Sequence, residues 1–432
     1  MIDTADNPQT QGPADSGVAA VAGRNVGGVD GAVECSALGS LLGPTASIFG
    51  QTHWDQTPCH SQGTGSFNDL LSLAEVDALL SDRGLRTPFL RVGSEGVARP
   101  SAQFTRSGGV GATLSDQIAD DRVADLLADG NSLVLQGLHR THPAVGAFTR
   151  RLAADLGHPV QADAHLTPSG NRGLATQYDI QDVFVCQLSG SQEWRIHPPV
   201  ITRPHRDQPW ELVREQVAQA ADSEPSLAIR MNPGDCLYLP RGWLHSAGPV
   251  GADPSLHLTF GVQVVTKMDL LHVAVAHLAS DEATRTAMPL GEELGGGFAA
   301  LIGLRELTTL LSQLPADQLA GLVRRRRDAD TRPEPLSPLR QAEAIRTLDH
   351  TSTVRRRTNL GLTQSGSATG IHLVSALDPQ PLTFDWQLSD ALKHLLSGDD
   401  VLVGSLPGPA PQVHGAINCL LRAGILTASD VG

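Results

Sequence analysis

The chain has 432 residues, a formal net charge of −14, and 40% hydrophobic against 18% charged residues. That length suits two or three domains and a substantial core. The acidic balance argues against general nucleic-acid binding, which needs a basic face to displace phosphate counterions, and lysine is confined to Lys267 and Lys393, leaving few candidates for Schiff-base chemistry.

Residues 1–33 are rich in Ala, Gly, Asp and Val with little periodicity and read as a disordered leader. The folded part opens with an apolar segment, Ser36–Phe49, ending near Gly50. Ser72-Leu73-Ala74-Glu75 has the form of a capping box and predicts a helix with Val76, Leu79 and Leu80 on one face. Residues 86–107 alternate around Phe89-Leu90-Arg91-Val92 and fit an edge strand, Asp116–Asp129 a helix, and Ser132–Gln136 a buried strand. Pro143–Leu156 carries Val145, Phe148, Leu152 and Leu156 at the spacing of an amphipathic helix.

From 161 to 265, short strand-like runs recur between turn signals, the pattern of a sandwich or jelly roll. Ala162–Thr167 is extended. Gln177-Tyr178-Asp179 opens a strand that Asp182–Leu188 continues. Ser189-Gly190-Ser191 then turns the chain and Glu193–His197 runs back, which reads as a hairpin. Pro209–Ala221 is a helical insertion. Asn232–Asp235 makes a tight turn before a short strand, a Pro240-Arg241-Gly242 corner follows, and His245 lies beyond it. Ser255–Val265 is a further strand.

Residues 267–315 turn helical, with apolar faces over Asp269–Leu278 and Leu301–Leu311. Arg324–Arg327 and Arg355–Arg357 are charge runs, expected as solvated arginines, with an acidic docking partner as the alternative. In the last hundred residues, Leu388–Leu396 and Val413–Ala423 are helical and Gly424-Ile425-Leu426 forms a strand. The cysteines, Cys35, Cys59, Cys186, Cys236 and Cys419, form no C-x-x-C pair, and Cys186 and Cys236 fall within predicted strands, so free thiols are expected. No signal peptide and no apolar run of ~18 residues is evident, so the expected location is cytoplasmic.

Three stretches, 161–199, 232–245 and 255–265, together resemble the JmjC-type, cupin-like protein hydroxylases, the ribosomal-oxygenase group of iron(II)/2-oxoglutarate dioxygenases. The resemblance rests on the Pro168–Gly173 loop, Gln177-Tyr178-Asp179, Asp182-Val183-Phe184, Gln187, Trp194-Arg195, Gly234-Asp235, Pro240-Arg241-Gly242, His245 and Ser255-Leu256-His257-Leu258-Thr259. It implies an α+β fold: a double-stranded β-helix core over 34–266, a helical dimerisation region over 267–334 and a winged-helix-like domain over 335–432. It also implies a protein or peptide substrate such as a ribosomal protein, and a homodimer. A winged helix usually suggests DNA contact, but Lys393, His394 and Arg422 are the only clear cations near its helices, so protein interaction or packing is expected instead, and no membrane association is expected.

The family's metal triad, His-x-Asp plus a distant His, falls on Gln177, Asp179 and His245. Asp179 and His245 are the matching catalytic positions. The 2-oxoglutarate anchor, a Lys or Arg fifteen residues after the first ligand, falls on Gln192, and a pocket Tyr falls on His165. Iron(II) is thus the implied metal if the site is active. The implied cosubstrate is put in question because Gln192 carries no charge. Gln177 and Asp179, two apart on a strand, would share a face. His165 could instead complete a ligand set with Asp179 and His245, or simply hydrogen-bond in the pocket. A relocated cation could come from Arg172, Arg195, Arg230 or Arg241, and His257 reads as core. Three functions stay open: an oxygenase with an altered site, a non-catalytic binding module, or a metal enzyme that no longer uses 2-oxoglutarate.

Overall fold

The computed structural model describes residues 36–94, 97–108, 111, 113–170, 173–279, 281–288 and 297–429. The leader expected at 1–33, Cys35 and Arg172 lie outside them. The first strands are β1 (Cys59–Ser61), β2 (Leu90–Ser94), β3 (Val97–Ala98), β4 (Thr105–Gly108), β5 (Leu114–Ile118) and β6 (Ser132–Leu135). The helix Leu73–Ser81 has the expected capping box, Ser72 with Glu75, and buries Val76, Leu79 and Leu80. The helix predicted at Asp116–Asp129 is shorter than its pattern: the first residues finish β5, and the helix starts at Asp120. Asp120 and Asp121 then sit in its first turn, where the helix dipole favours carboxylates. Pro143–Leu156 is helical over the full predicted range, with Val145, Phe148 and Leu152 buried.

Eight further strands complete the domain: β7 (Val160–Thr167), β8 (Leu174–Gln177), β9 (Asp182–Ser189), β10 (Ser191–His197), β11 (Leu227–Met231), β12 (Cys236–Leu239), β13 (Leu244–Val250) and β14 (Ser255–Val262). They form two antiparallel sheets, in the orders β1-β12-β9-β14-β7-β6-β2-β3 and β11-β10-β13-β8. The outer face of the large sheet packs on the N-terminal helices through Leu133, Phe148, Phe184, Tyr238 and Phe260. Between the sheets, Val183, Val185, Trp194, Ile196, Met231, Leu237 and Leu239 fill one side of the interior. The other side, between β14–β7 and β13–β8, is polar.

Two readings of the strand pattern are corrected. β8 and β9 are not one strand; they lie in different sheets, and Tyr178–Gln181 crosses between them. β9 and β10 are consecutive but do not pair, so the predicted hairpin is a corner from one sheet to the other. Gly190 makes that corner at φ +63°, and a Cβ there would stand 2.5 Å from the carbonyl of Pro254. Only glycine meets both conditions. Phe89–Val92 is also not at the sheet edge, because β3 lies outside β2.

Helices Lys267–Leu278, Gly297–Gln313 and Ala316–Asp330 follow, then Pro338–Thr347. The remaining strands are β15 (Thr353–Arg356), β16 (Leu362–Ser367), β17 (Gly370–Ser375), β18 (Leu382–Phe384), β19 (Val401–Leu402) and β20 (Leu426–Ala428), with helices Ser389–Leu395 and Ala410–Arg422 between them. They share a separate core that includes Val354, Leu373, Leu392, Ile417 and Leu420. The run Arg355–Arg357 is not simply solvated. Arg355 donates to Glu334 at 2.9 Å, and buried Arg357 donates to the carbonyls of Glu334 and Gly424. The hydrogen bonds from Arg355 chiefly hold the Glu334 carboxyl down at about 2.

Candidate active site

Gln177 ends β8 directly opposite His245 on β13. Residues paired in this way present their side chains on one face, ~5 Å apart. Asp179 lies two residues on, beyond the strand. Tyr178 between them points the other way; it is buried, and its hydroxyl donates to the Gln208 carbonyl at 2.8 Å. The amide of Gly242 donates to the Asp179 carbonyl at 3.0 Å, so the Pro240-Arg241-Gly242 corner fixes the carboxylate's backbone. The structure brings together the three positions that spacing had aligned.

Asp179 Oδ2 lies 3.6 Å from His245 Nε2. The other ring nitrogen, Nδ1, is 3.1 Å from the Trp243 carbonyl. A carbonyl only accepts, so Nδ1 carries a hydrogen and Nε2 is the ring nitrogen turned toward the carboxylate. Nε2 and the carboxylate are close enough to share a cation. A ring nitrogen oriented by a backbone carbonyl is also the usual support for a metal-binding histidine. The donor set of imidazole, carboxylate and amide carbonyl fits a divalent metal, with the amide the weakest member. Among the described residues no three His, Cys, Asp or Glu side chains gather to hold a metal ion.

His165 does not join that set. It pairs with His257 across β7 and β14, and the two rings stack with centroids 4.8 Å apart and planes 10° apart. Burial pushes the His165 imidazole down to about 4, with the charges of Arg91 and His245 adding to it. Burial, then His165 and His245, push His257 well below the ordinary range. Both rings are neutral near pH 7. Trp194 lies 5.8 Å from His257 and 5.9 Å from His245, ring centre to ring centre.

Gln192 faces inward on β10 with Trp194 and Ile196, while Glu193 and Arg195 face out. It is 2% exposed. None of the described arginines weighed as a relocated cation reaches it. Arg241 is held by Asp182 at 3.1 Å and Asp55 at 2.9 Å. Arg195 is exposed beside Glu193, and Arg230 is exposed on β11. A buried carboxylate at this place would have no countercharge among the described residues, which therefore do not fit 2-oxoglutarate in the family's manner.

Sequence reasoning missed three neighbours. Arg91, Val134, His165, His257 and Gln187 are successive cross-strand partners and form one row on the inner face of the large sheet. Arg91 stands at the exposed end of that row. Asp163 accepts from the Gly137 amide at 2.7 Å, and burial raises its carboxyl. Trp194 completes the wall. The inward alternation of Gln192, Trp194 and Ile196 was the available signal, hidden because the run read as one arm of a hairpin.

Residues 146–270 match the JmjC domain family. Ribosomal oxygenase 1 of Gallus gallus is 30% identical over 224 residues, 51% of this chain and 35% of that protein. The bifunctional lysine-specific demethylase and histidyl-hydroxylase NO66 of Drosophila persimilis is 28% identical over 228 residues, 51% of this chain and 31% of that protein. The aligned part thus spans about a third of the length of these curated relatives. The fold is similar to that of YcfD, a ribosomal oxygenase from Escherichia coli in complex with cobalt and succinic acid. The TM-score is 0.54 at 16% identity, covering 90% of this chain and 99% of that one. Residues 146–270 thus carry a JmjC domain, and the aligned region is similar to the ribosomal oxygenases.

Proposed function

We propose that this chain is a JmjC-type oxygenase homologue acting on a protein or peptide side chain, with an atypical metal site made by Gln177, Asp179 and His245. The observation that carries the reading is the Asp179–His245 pair, carboxylate oxygen and ring nitrogen 3.6 Å apart across a face that Gln177 shares. A bound metal, iron(II) by resemblance, would supply open positions for oxygen activation. Asp179 and His245 hold it; the Trp243 carbonyl orients His245; the neutral rings of His165, His257 and Trp194 wall the site from water. Ribosomal proteins are the substrate class that the relatives' names suggest. Anaerobic titration of the purified chain with iron(II) or manganese(II) tests the reading. One equivalent bound, lost in Asp179→Asn and His245→Ala, is expected; no uptake by the unaltered chain sinks it.

A second reading, a non-catalytic binding module, is favoured by the two amides at the family's ligand and cation positions. Oxygen uptake coupled to hydroxylation of a ribosomal peptide would exclude it. We further propose that residues 267–334 form a homodimer contact in the cytoplasm, since Leu271, Val275, Leu304 and Leu307 present apolar side chains to solvent. No helix among the described residues is long and apolar enough to cross a membrane.

A further inference from the structure

The Gly190 end of the barrel is lined by hydrogen-bonding groups that carry no charge, and several have no partner. Gln192 Oε1, Trp194 Nε1 and His257 Nδ1 are all fully buried and unpaired. Gln187 Oε1, on the opposite wall, is buried and unpaired as well, while its Nε2 donates to the Ser189 carbonyl and to Ser255 Oγ, each at 2.8 Å. Buried polar atoms are almost always satisfied by protein, water or ligand, and an unsatisfied cluster needs an explanation. Both sheets contribute to this cluster. Gln187 and His257 are partners across β9 and β14, and Trp194 in the facing sheet touches His257 edge-on.

Among the described residues, the same end holds no countercharge for an anion. Arg241 is committed to Asp182 and Asp55, Arg195 and Arg230 face outward, and both lysines belong to helices outside the barrel. Arg91 stands at the rim, two strands from His257. A glutamine side chain is its own complement: its N–H donates to an amide carbonyl while its carbonyl accepts from the amide N–H. On β10, Gln192 lies four residues from Ile196, which pairs with His245. That is roughly 13 Å of strand, part of which the inward side chains fill. The span suits a five-carbon ligand between the two ends.

We propose that this end of the barrel receives the carboxamide end of a small 2-oxo acid, selecting it over the dicarboxylate. The inference rests on the metal reading only for the ligand's other end. The test is calorimetric titration of the full chain, with manganese(II) present and absent, against 2-oxoglutaramate and 2-oxoglutarate, followed also by tryptophan fluorescence against Trp194→Phe. The amide is expected to bind at least about tenfold more tightly, because the dicarboxylate buries an unpaired charge. Gln192→Lys should reverse the preference, and Gln192→Leu should abolish it. Equal or tighter binding of 2-oxoglutarate to the unaltered chain, or binding of neither compound, overturns the inference. A chain that binds manganese(II) but prefers the dicarboxylate keeps the metal site and loses this selectivity. A chain that binds no manganese(II) yet prefers the amide does the opposite.

Discussion

His165 and His257 stack nearly parallel, 4.8 Å between ring centres, inside the barrel wall. Their environment strips protons from both, His165 down to about 4. The unfolded chain takes up those protons near pH 6.5 and the folded chain does not. Stability is therefore full above that pH and falls as pH drops, the share of His165 levelling off below about 4. From His165 alone the thermal midpoint should drop on the order of 4–7 °C between pH 7 and pH 5, and His257 adds to it. His165→Phe should flatten that slope in a melting series; an unchanged slope would refute the assignment.

Gln177→His supplies the imidazole that the family pattern carries there. It faces His245 across the strand pair, so no backbone change is needed. Metal affinity should rise by at least about 10–100-fold. Competition against a chelator of known affinity measures it, and no gain would mean that position 177 does not face the metal.

Among the described residues Arg241 is the only guanidinium that reaches Asp182, which is fully buried and also accepts from Tyr238 at 2.5 Å. Removing one partner of a buried pair strands the other. Arg241→Met should cost about 3–5 kcal/mol in denaturant unfolding. Arg241→Met with Asp182→Asn should recover part of the loss. If the double variant is no better than the single, the charge on Asp182 is not the cause.

Gly190→Ala should destabilise the domain by about 1–3 kcal/mol, since it combines a left-handed φ with a backbone clash. Gly251, also at positive φ, has open space around its Cβ position, so Gly251→Ala should cost less. Equal unfolding midpoints for the two variants would contradict the clash.

Val275→Asp and Leu304→Asp should convert the proposed dimer to a monomer in sedimentation without lowering the melting temperature of the JmjC domain. Leu304 is 61% exposed and Val275 52%, so neither change disturbs the described core. A chain already monomeric at micromolar concentration would remove the dimer proposal.

Helix periodicity and capping were legible where local chemistry decides them, as in Pro143–Leu156 and the Ser72–Glu75 box. Sheet membership was not. Nothing local in Ser189-Gly190-Ser191 separates a hairpin from a corner, because the deciding contact is the distant Pro254 carbonyl. The positions of Gln177, Asp179, His245 and Gln192 were legible by spacing from the family pattern. The second layer was not: Arg91, Asp163 and Trp194 come from separate strands, and only cross-strand register assembles them. The unpaired state of Gln192 is likewise a property of its surroundings.

The corner at Gly190 has a mechanical consequence. It ties Gln187 on one wall to Gln192 on the other through the four residues Leu188–Ser191, so the gap between the sheets is pinned at that end by covalent chain. A guest cannot widen the chamber there as a hinge would. The Tyr178–Gln181 crossing, which carries Asp179, ties the two sheets at the opposite end in the same way. The chamber is therefore a gauge held at both ends, with an amide at one and a carboxylate at the other.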